Sequence, residues 1–184
     1  MVPSFLIILS ACNQTASVGT AMQVSGYAFP PPAFDAFCGR EPRLCRTENG
    51  NNVMELTAAR EEELEAVNGS VNRRIKERSD LQTSGNADYW QLPSTQGDCE
   101  DFAILKKSEL LKRGWPASVL LLTVARLGDE GHTVLTVRTS KGDKVLDNRT
   151  NAVRNWSNTP YRYFARQSQF AAHKWVRIEQ PRSL

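Results

Sequence analysis

A single cysteine set among acids, Gly97-Asp98-Cys99-Glu100-Asp101, stands where a helix begins. Downstream, Gly131-His132 and Leu146-Asp147-Asn148 each border a strand-like run. Cysteine, histidine and aspartate in that order supply a nucleophile, a base to take its proton, and a carboxylate to orient the base. The acids run against this chemistry, because a thiolate is favoured by positive surroundings and Cys99 has carboxylates on both sides. Each residue also has an ordinary reading: Cys99 as a small buried hydrophobe, His132 as a strand-end histidine, Asp147 as a turn residue. The second histidine, His173, lies near the C-terminus and reads as structural.

Three elements must position these groups. A helix from about Cys99 to Arg113 buries Phe102, Ala103, Leu105, Leu110 and Leu111 and stops at Gly114, with Pro116 beyond. Asp98 fits its N-cap, and Glu100 and Asp101 suit the positive end of its dipole. Cys99 thus sits at a helix N-terminus, where unpaired backbone N–H groups favour a thiolate and later an oxyanion. The second oxyanion donor is expected from Gln96 or Trp90.

His132 to Thr139 and Lys144 to Asp147 read as two strands joined by a hairpin turn at Ser140-Lys141-Gly142-Asp143. The start of one antiparallel strand lies near the end of the next, so His132 and Asp147 can meet if no bulge shifts the register.

The rest is coarser. Asn51 to about Arg78 has helical periodicity, with Val53, Leu56, Leu64, Val67, Val71 and Ile75 on one side and Asn51 or Asn52 as cap. Asp88 to Pro93 reads as a fixed loop over the site, with core packing as the alternative role for Trp90. Ser118 to Arg126, Tyr161 to Ala165 and Lys174 to Ile178 read as further strands. Helices first and an antiparallel sheet after make one α+β domain.

Asp98, Glu100 and Asp101 also form a hard-oxygen cluster of the kind Ca²⁺ takes, although the spacing is not that of an EF-hand loop. A net charge of +3, with Lys and Arg scattered and clustered in short pairs such as Lys106-Lys107 and Arg73-Arg74, gives no basic stripe for nucleic acid. Both pairs read as solvated helix faces.

At the N-terminus, Phe5-Leu6-Ile7-Ile8-Leu9 precedes Leu9-Ser10-Ala11-Cys12, which has the look of a bacterial lipoprotein signal with Cys12 lipidated. The run is short and no Lys or Arg precedes it, so the plain alternative is a poorly ordered tail. Residues 1–26 are read as signal-like segment and linker, and 27–184 as the working domain. The expected location is periplasmic, with the membrane reached only through a lipid anchor. In an exported protein the spacing of Cys38 and Cys45 permits a local disulfide, two unpaired thiols being the alternative.

The runs Trp90-Gln91-Leu92-Pro93, Gly97-Asp98-Cys99-Glu100-Asp101-Phe102, Gly131-His132 and Val145 to Val153 resemble the bacterial transglutaminase-like cysteine proteinases. Phe37-Cys38 to Cys45, Val67-Asn68, Val71-Asn72 and Trp156 to Tyr163 also look like family positions. The resemblance implies a papain-like/transglutaminase-like fold and a periplasmic peptidase with Cys99, His132 and Asp147 as triad, acting on an envelope protein. It further implies Ca²⁺ held by Asp98 and Glu100, with Asp101 assisting, because known relatives are calcium-dependent proteases that clip a surface adhesin. Two other outcomes share the same residues: acyl transfer to an amine, and a non-catalytic calcium-binding module.

Overall fold

The structure, a computed structural model, describes residues 20–48, 50–85, 88–171 and 173–180. The Cys12 lipidation signal and its apolar run lie outside the described residues.

Seven strands form one antiparallel sheet: β1 (Val24–Ala28), β4 (Leu120–Leu127), β5 (Glu130–Thr139), β6 (Gly142–Asp147), β7 (Thr150–Asn155), β8 (Arg162–Gln167) and β9 (Trp175–Ile178). Their order is β1-β9-β8-β4-β5-β6-β7. The short strands β2 (Lys76–Glu77) and β3 (Gln96–Gly97) make a separate parallel pair. The helices are α1 (Phe34–Arg40), α2 (Pro42–Cys45), α3 (Ala58–Arg74), α4 (Asp80–Thr83) and α5 (Cys99–Lys112). This is the expected α+β papain-like architecture.

Alternation in β4 decides which side each residue faces. Leu120 and Leu122 join the main core beneath α3 and α5, while Ala125 joins a second cluster with Val134, Val145, Tyr161 and Tyr163 on the other face. The sheet is therefore covered on both sides where it carries the site.

Several expectations are corrected. The first long helix begins at Ala58, capped by Thr57, whose hydroxyl accepts from Arg60 N at 3.3 Å. Residues 51–57 are not helical: a bend at Asn52 and Val53 leads into Met54, which bridges to Thr139, its N–H and C=O bonding to Arg138 and Ser140. The linker read through Gly26 ends sooner: β1 starts at Val24 and pairs with β9, its polar sequence reflecting an edge strand exposed at nearly every position. Lys106 and Lys107 do not lie on a solvated face. Both are fully buried, because α5 is surrounded by the sheet and α3. Lys107 Nζ donates to Gln167 Oε1 at 3.0 Å, and Lys106 Nζ lies 5.7 Å from the Phe102 ring centre. Burial pushes both ammonium groups down to about 7.

Cys38 and Cys45 form a disulfide joining α1 to α2. Closing a loop of sequence separation 7 should stabilise the fold by about 2 kcal/mol through the unfolded chain. Urea unfolding with and without a phosphine reductant measures this, and equal midpoints would contradict it.

Candidate active site

The site is built where the β5–β6 ladder ends. The hairpin has an unbroken register from Thr139↔Gly142 to Leu135↔Leu146, with Ser140-Lys141 as its two-residue loop and Gly142 at φ 88°. Extending that register puts Asp147 across from Val134, on the same face as His132 two residues away. The two side chains meet accordingly, His132 Nε2 lying 2.9 Å from Asp147 Oδ1, and both are buried. Nδ1 is the nitrogen that Asp147 does not use.

At the same opening the N–H of Thr133 donates to Cys99 Sγ at 3.3 Å. The sulfur at the start of α5 is thus fixed against the residue that follows His132. Cys99 is the only free cysteine among the described residues.

Asp147 is held on every side. His132 Nε2 and Arg149 N reach Oδ1, the latter at 3.1 Å, and the Tyr161 hydroxyl donates to Oδ2. Its backbone is clasped by α3: Asp147 N donates to Asn68 Oδ1 at 3.1 Å, and Asn72 Nδ2 donates to Asp147 O at 2.9 Å. Burial pushes this carboxyl up, but the hydrogen bonds from His132 and Tyr161 outweigh it and hold it below the usual carboxylate value. Asp147 therefore stays charged beside the imidazole.

The acidic neighbours divide into two groups. Asp80, Asp98 and Glu100 each present an oxygen within 4.8 Å of the others. Asp101 does not join them, because it points toward the preceding loop and accepts from Gln91 N at 2.9 Å. Asp98 occupies the N-cap position, its C=O accepting from Phe102 N, yet its carboxylate caps nothing and accepts from Asp80 N at 3.0 Å. Asp98 Oδ1 is buried with no hydrogen-bond partner.

Glu100 Oε2 accepts from the Cys99 thiol at 3.2 Å. Burial, then the charge of Asp98, pushes the Glu100 carboxyl up to about 9. Burial, then the charge of Glu100, likewise pushes the thiol above its ordinary value. Three carboxylates crowded within 4.8 Å, one of them with a buried oxygen that has no hydrogen-bond partner, fit a divalent hard cation.

Of the two oxyanion donors expected, Trp90 is excluded. Its indole N–H donates to Asp88 at 2.9 Å, and its ring packs among Phe34, Phe37 and Trp175 in the core. Gln96 lies on β3, exposed, three residues before Cys99.

Four contributors escaped the sequence reading as site residues: Asp80, Thr133, Tyr161 and the Asn68/Asn72 clasp. The last left a signal, as two amides one helical turn apart beside the apolar stripe of Val67 and Val71, and Tyr161 lies in the run Trp156 to Tyr163 that resembles the family.

The comparisons accord with this geometry. The family model of the bacterial transglutaminase-like cysteine proteinase matches residues 24–183. Among solved structures, LapG of Legionella pneumophila is 28% identical, covering 62% of this chain and 67% of its own, with a TM-score of 0.53. Its EGTA-treated form is 27% identical over 67% and 69%, with a TM-score of 0.53. Its calcium-bound form, 24% identical over 80% and 93% with a TM-score of 0.54, shows likeness of fold. No curated protein matches the chain. With the helix that carries Cys99, the paired strands and this family match in hand, the chain belongs to the bacterial transglutaminase-like cysteine proteinase family and is a cysteine peptidase of papain-like fold.

Proposed function

We propose that this peptidase cuts a protein of the bacterial cell envelope, using Cys99, His132 and Asp147 as its catalytic triad and Ca²⁺ as a structural cofactor. The observation that carries the triad is the junction at the end of β5, where the backbone of Thr133 holds Cys99 Sγ and Asp147 holds His132 Nε2.

Cys99 Sγ attacks the scissile carbonyl carbon while His132 Nδ1 takes its proton. The imidazolium that forms is stabilised by Asp147, which remains ionised. The oxyanion is met by the Cys99 backbone N–H at the start of α5, with Gln96 as the second donor. His132 then gives its proton to the departing amine, leaving a thioester on Cys99. A water molecule, deprotonated by His132, attacks the thioester, the acid product leaves, and the proton returns to the thiol.

Asp80, Asp98 and Glu100 would hold Ca²⁺, which when bound supplies positive charge to offset the carboxylates around the thiol. LapG, solved in a calcium-bound form, supports this reading. Export is supported by the disulfide, which suits an oxidising compartment, and by the apolar run Phe5 to Leu9 with Cys12 as lipid attachment point. Among the described residues no helix is long and apolar enough to cross a membrane.

The test is a comparison of envelope proteomes from wild-type and Cys99→Ala strains. New protein N-termini present only in the wild type are expected, and identical sets would contradict the reading.

A further inference from the structure

Asp147 has two carboxylate oxygens, and they are served differently. Oδ1 receives His132 Nε2 and the Arg149 N–H. Oδ2 receives the hydroxyl of Tyr161. The same tyrosine ring lies against the imidazole, with centroids 5.0 Å apart and planes inclined by 37°. One side chain therefore touches both members of the pair without being consumed in the reaction.

Tyr161 is itself fixed. It is 8% exposed and meets Tyr163 edge-on at 6.1 Å. Tyr163 in turn packs on Trp156 at 5.8 Å and bonds Thr159 through its hydroxyl at 2.7 Å. Burial, then the neighbouring Asp147, pushes the phenol above its ordinary value, so it remains a donor throughout the working range.

Beside this contact lies a cavity of about 210 Å³, walled by Leu127, Val145, Arg154 and Pro160 and reaching both Asp147 and Tyr161. That volume admits several waters. Without the tyrosine hydroxyl, Oδ2 would be solvated from this side, and the carboxylate would gain freedom to turn and exchange its oxygens.

We propose that Tyr161 is a positioning residue of the hydrolytic site, fixing the carboxylate plane of Asp147 and the ring plane of His132 so that Nδ1 is presented to Cys99. The proposal rests on the reading of Cys99, His132 and Asp147 as a triad. Its physical basis is that a buried charged pair keeps one geometry only when each remaining acceptor has a donor.

Acylation of Cys99 by p-nitrophenyl acetate, followed as nitrophenolate release with calcium present, tests it without knowledge of the natural substrate. Tyr161→Phe keeps the ring and removes one hydrogen bond to a charged group, so the maximal rate is expected to fall about tenfold or more. The half-saturating concentration and the melting temperature should change little. In an Asp147→Ala background the same substitution should leave the residual rate within about twofold, because its target is gone.

An unchanged rate in the wild-type background, or an equal fall in both backgrounds, would overturn the proposal. Should the double variant not fold, the wild-type comparison decides alone. If His132→Ala and Asp147→Ala react as fast as wild type, the triad reading fails and takes the proposal with it. If they are slow while Tyr161→Phe is normal, only the role of Tyr161 fails.

Discussion

His132→Ala is expected to slow acylation of Cys99 by about 10³-fold, the middle of the range for loss of a positioned general base. Most of what surrounds the thiol in this structure opposes its ionisation: burial, the Glu100 carboxyl in contact with it, and Asp98 beyond. The Thr133 N–H favours the thiolate, but a single amide is a weak counterweight. Proton removal therefore depends on a base, and His132, next in the chain to Thr133 and held by Asp147, is the candidate. Asp147→Ala should fall in the same direction by less, because the imidazole remains but loses its orientation and the partner for its charge. Melting temperatures of both variants, measured alongside, separate this from loss of fold. A rate within a few-fold of wild type for His132→Ala would mean that the thiol is activated by something else.

Calcium is expected to raise the melting temperature by about 5–10 °C at a hundred times its dissociation constant, from about 2.7 kcal/mol of linkage in a domain of this size. The physical reason lies in the crowding of Asp80, Asp98 and Glu100, whose carboxylates are 1%, partly and 7% exposed. A pH signature accompanies it in EGTA. Glu100 rises from 4.5 to about 9 and Asp101 from 3.8 to about 8, in both cases chiefly through burial. The folded protein thus holds protons that the unfolded chain releases, and the stability this provides is full below about pH 4. It is lost as pH rises through the folded values near 8 and 9. In EGTA the melting temperature should accordingly decline from pH 5 to pH 9, and calcium should flatten that decline by favouring the ionised carboxylates. Asp80→Asn, which keeps an acceptor for the Tyr89 N–H, should abolish most of the calcium response. A melting curve indifferent to calcium at every pH would remove the cation from the account.

How far the sequence could carry this is clear from individual residues. Cys99 was legible because a helix start has a recognisable grammar: a capping residue, acids in the first turn, an apolar stripe and a glycine stop. His132 and Asp147 were legible because a hairpin ties the start of one strand to the end of the next, and its two-residue loop left no bulge to shift them. Asp80 was not legible, since it lies 18 residues before Asp98 and reaches it only through the fold. Asp101, read from sequence as assisting the cation, turns one oxygen toward Gln91 and lies outside the group of Asp80, Asp98 and Glu100.

Lys106 and Lys107 show the opposite failure. Charge in a sequence says solvent, but between the sheet and α3 this helix is buried from Glu100 to Ser108, Lys106 and Lys107 included. Trp90 likewise followed composition rather than place: its position near the nucleophile suggested a donor, and its size took it into the aromatic core. Tyr161 lay in a family-like run, but its link to Asp147 was not legible, since its partner is across the sheet and the spacing fits no local pattern.

The central claim is that Cys99 and His132 act as a pair. The most direct measurement is the rate of alkylation of Cys99 by iodoacetamide near neutral pH with calcium present, in wild type and in His132→Ala. Fast labelling of the wild type that is lost in the variant is the predicted result. Slow labelling that is indifferent to His132 would contradict it.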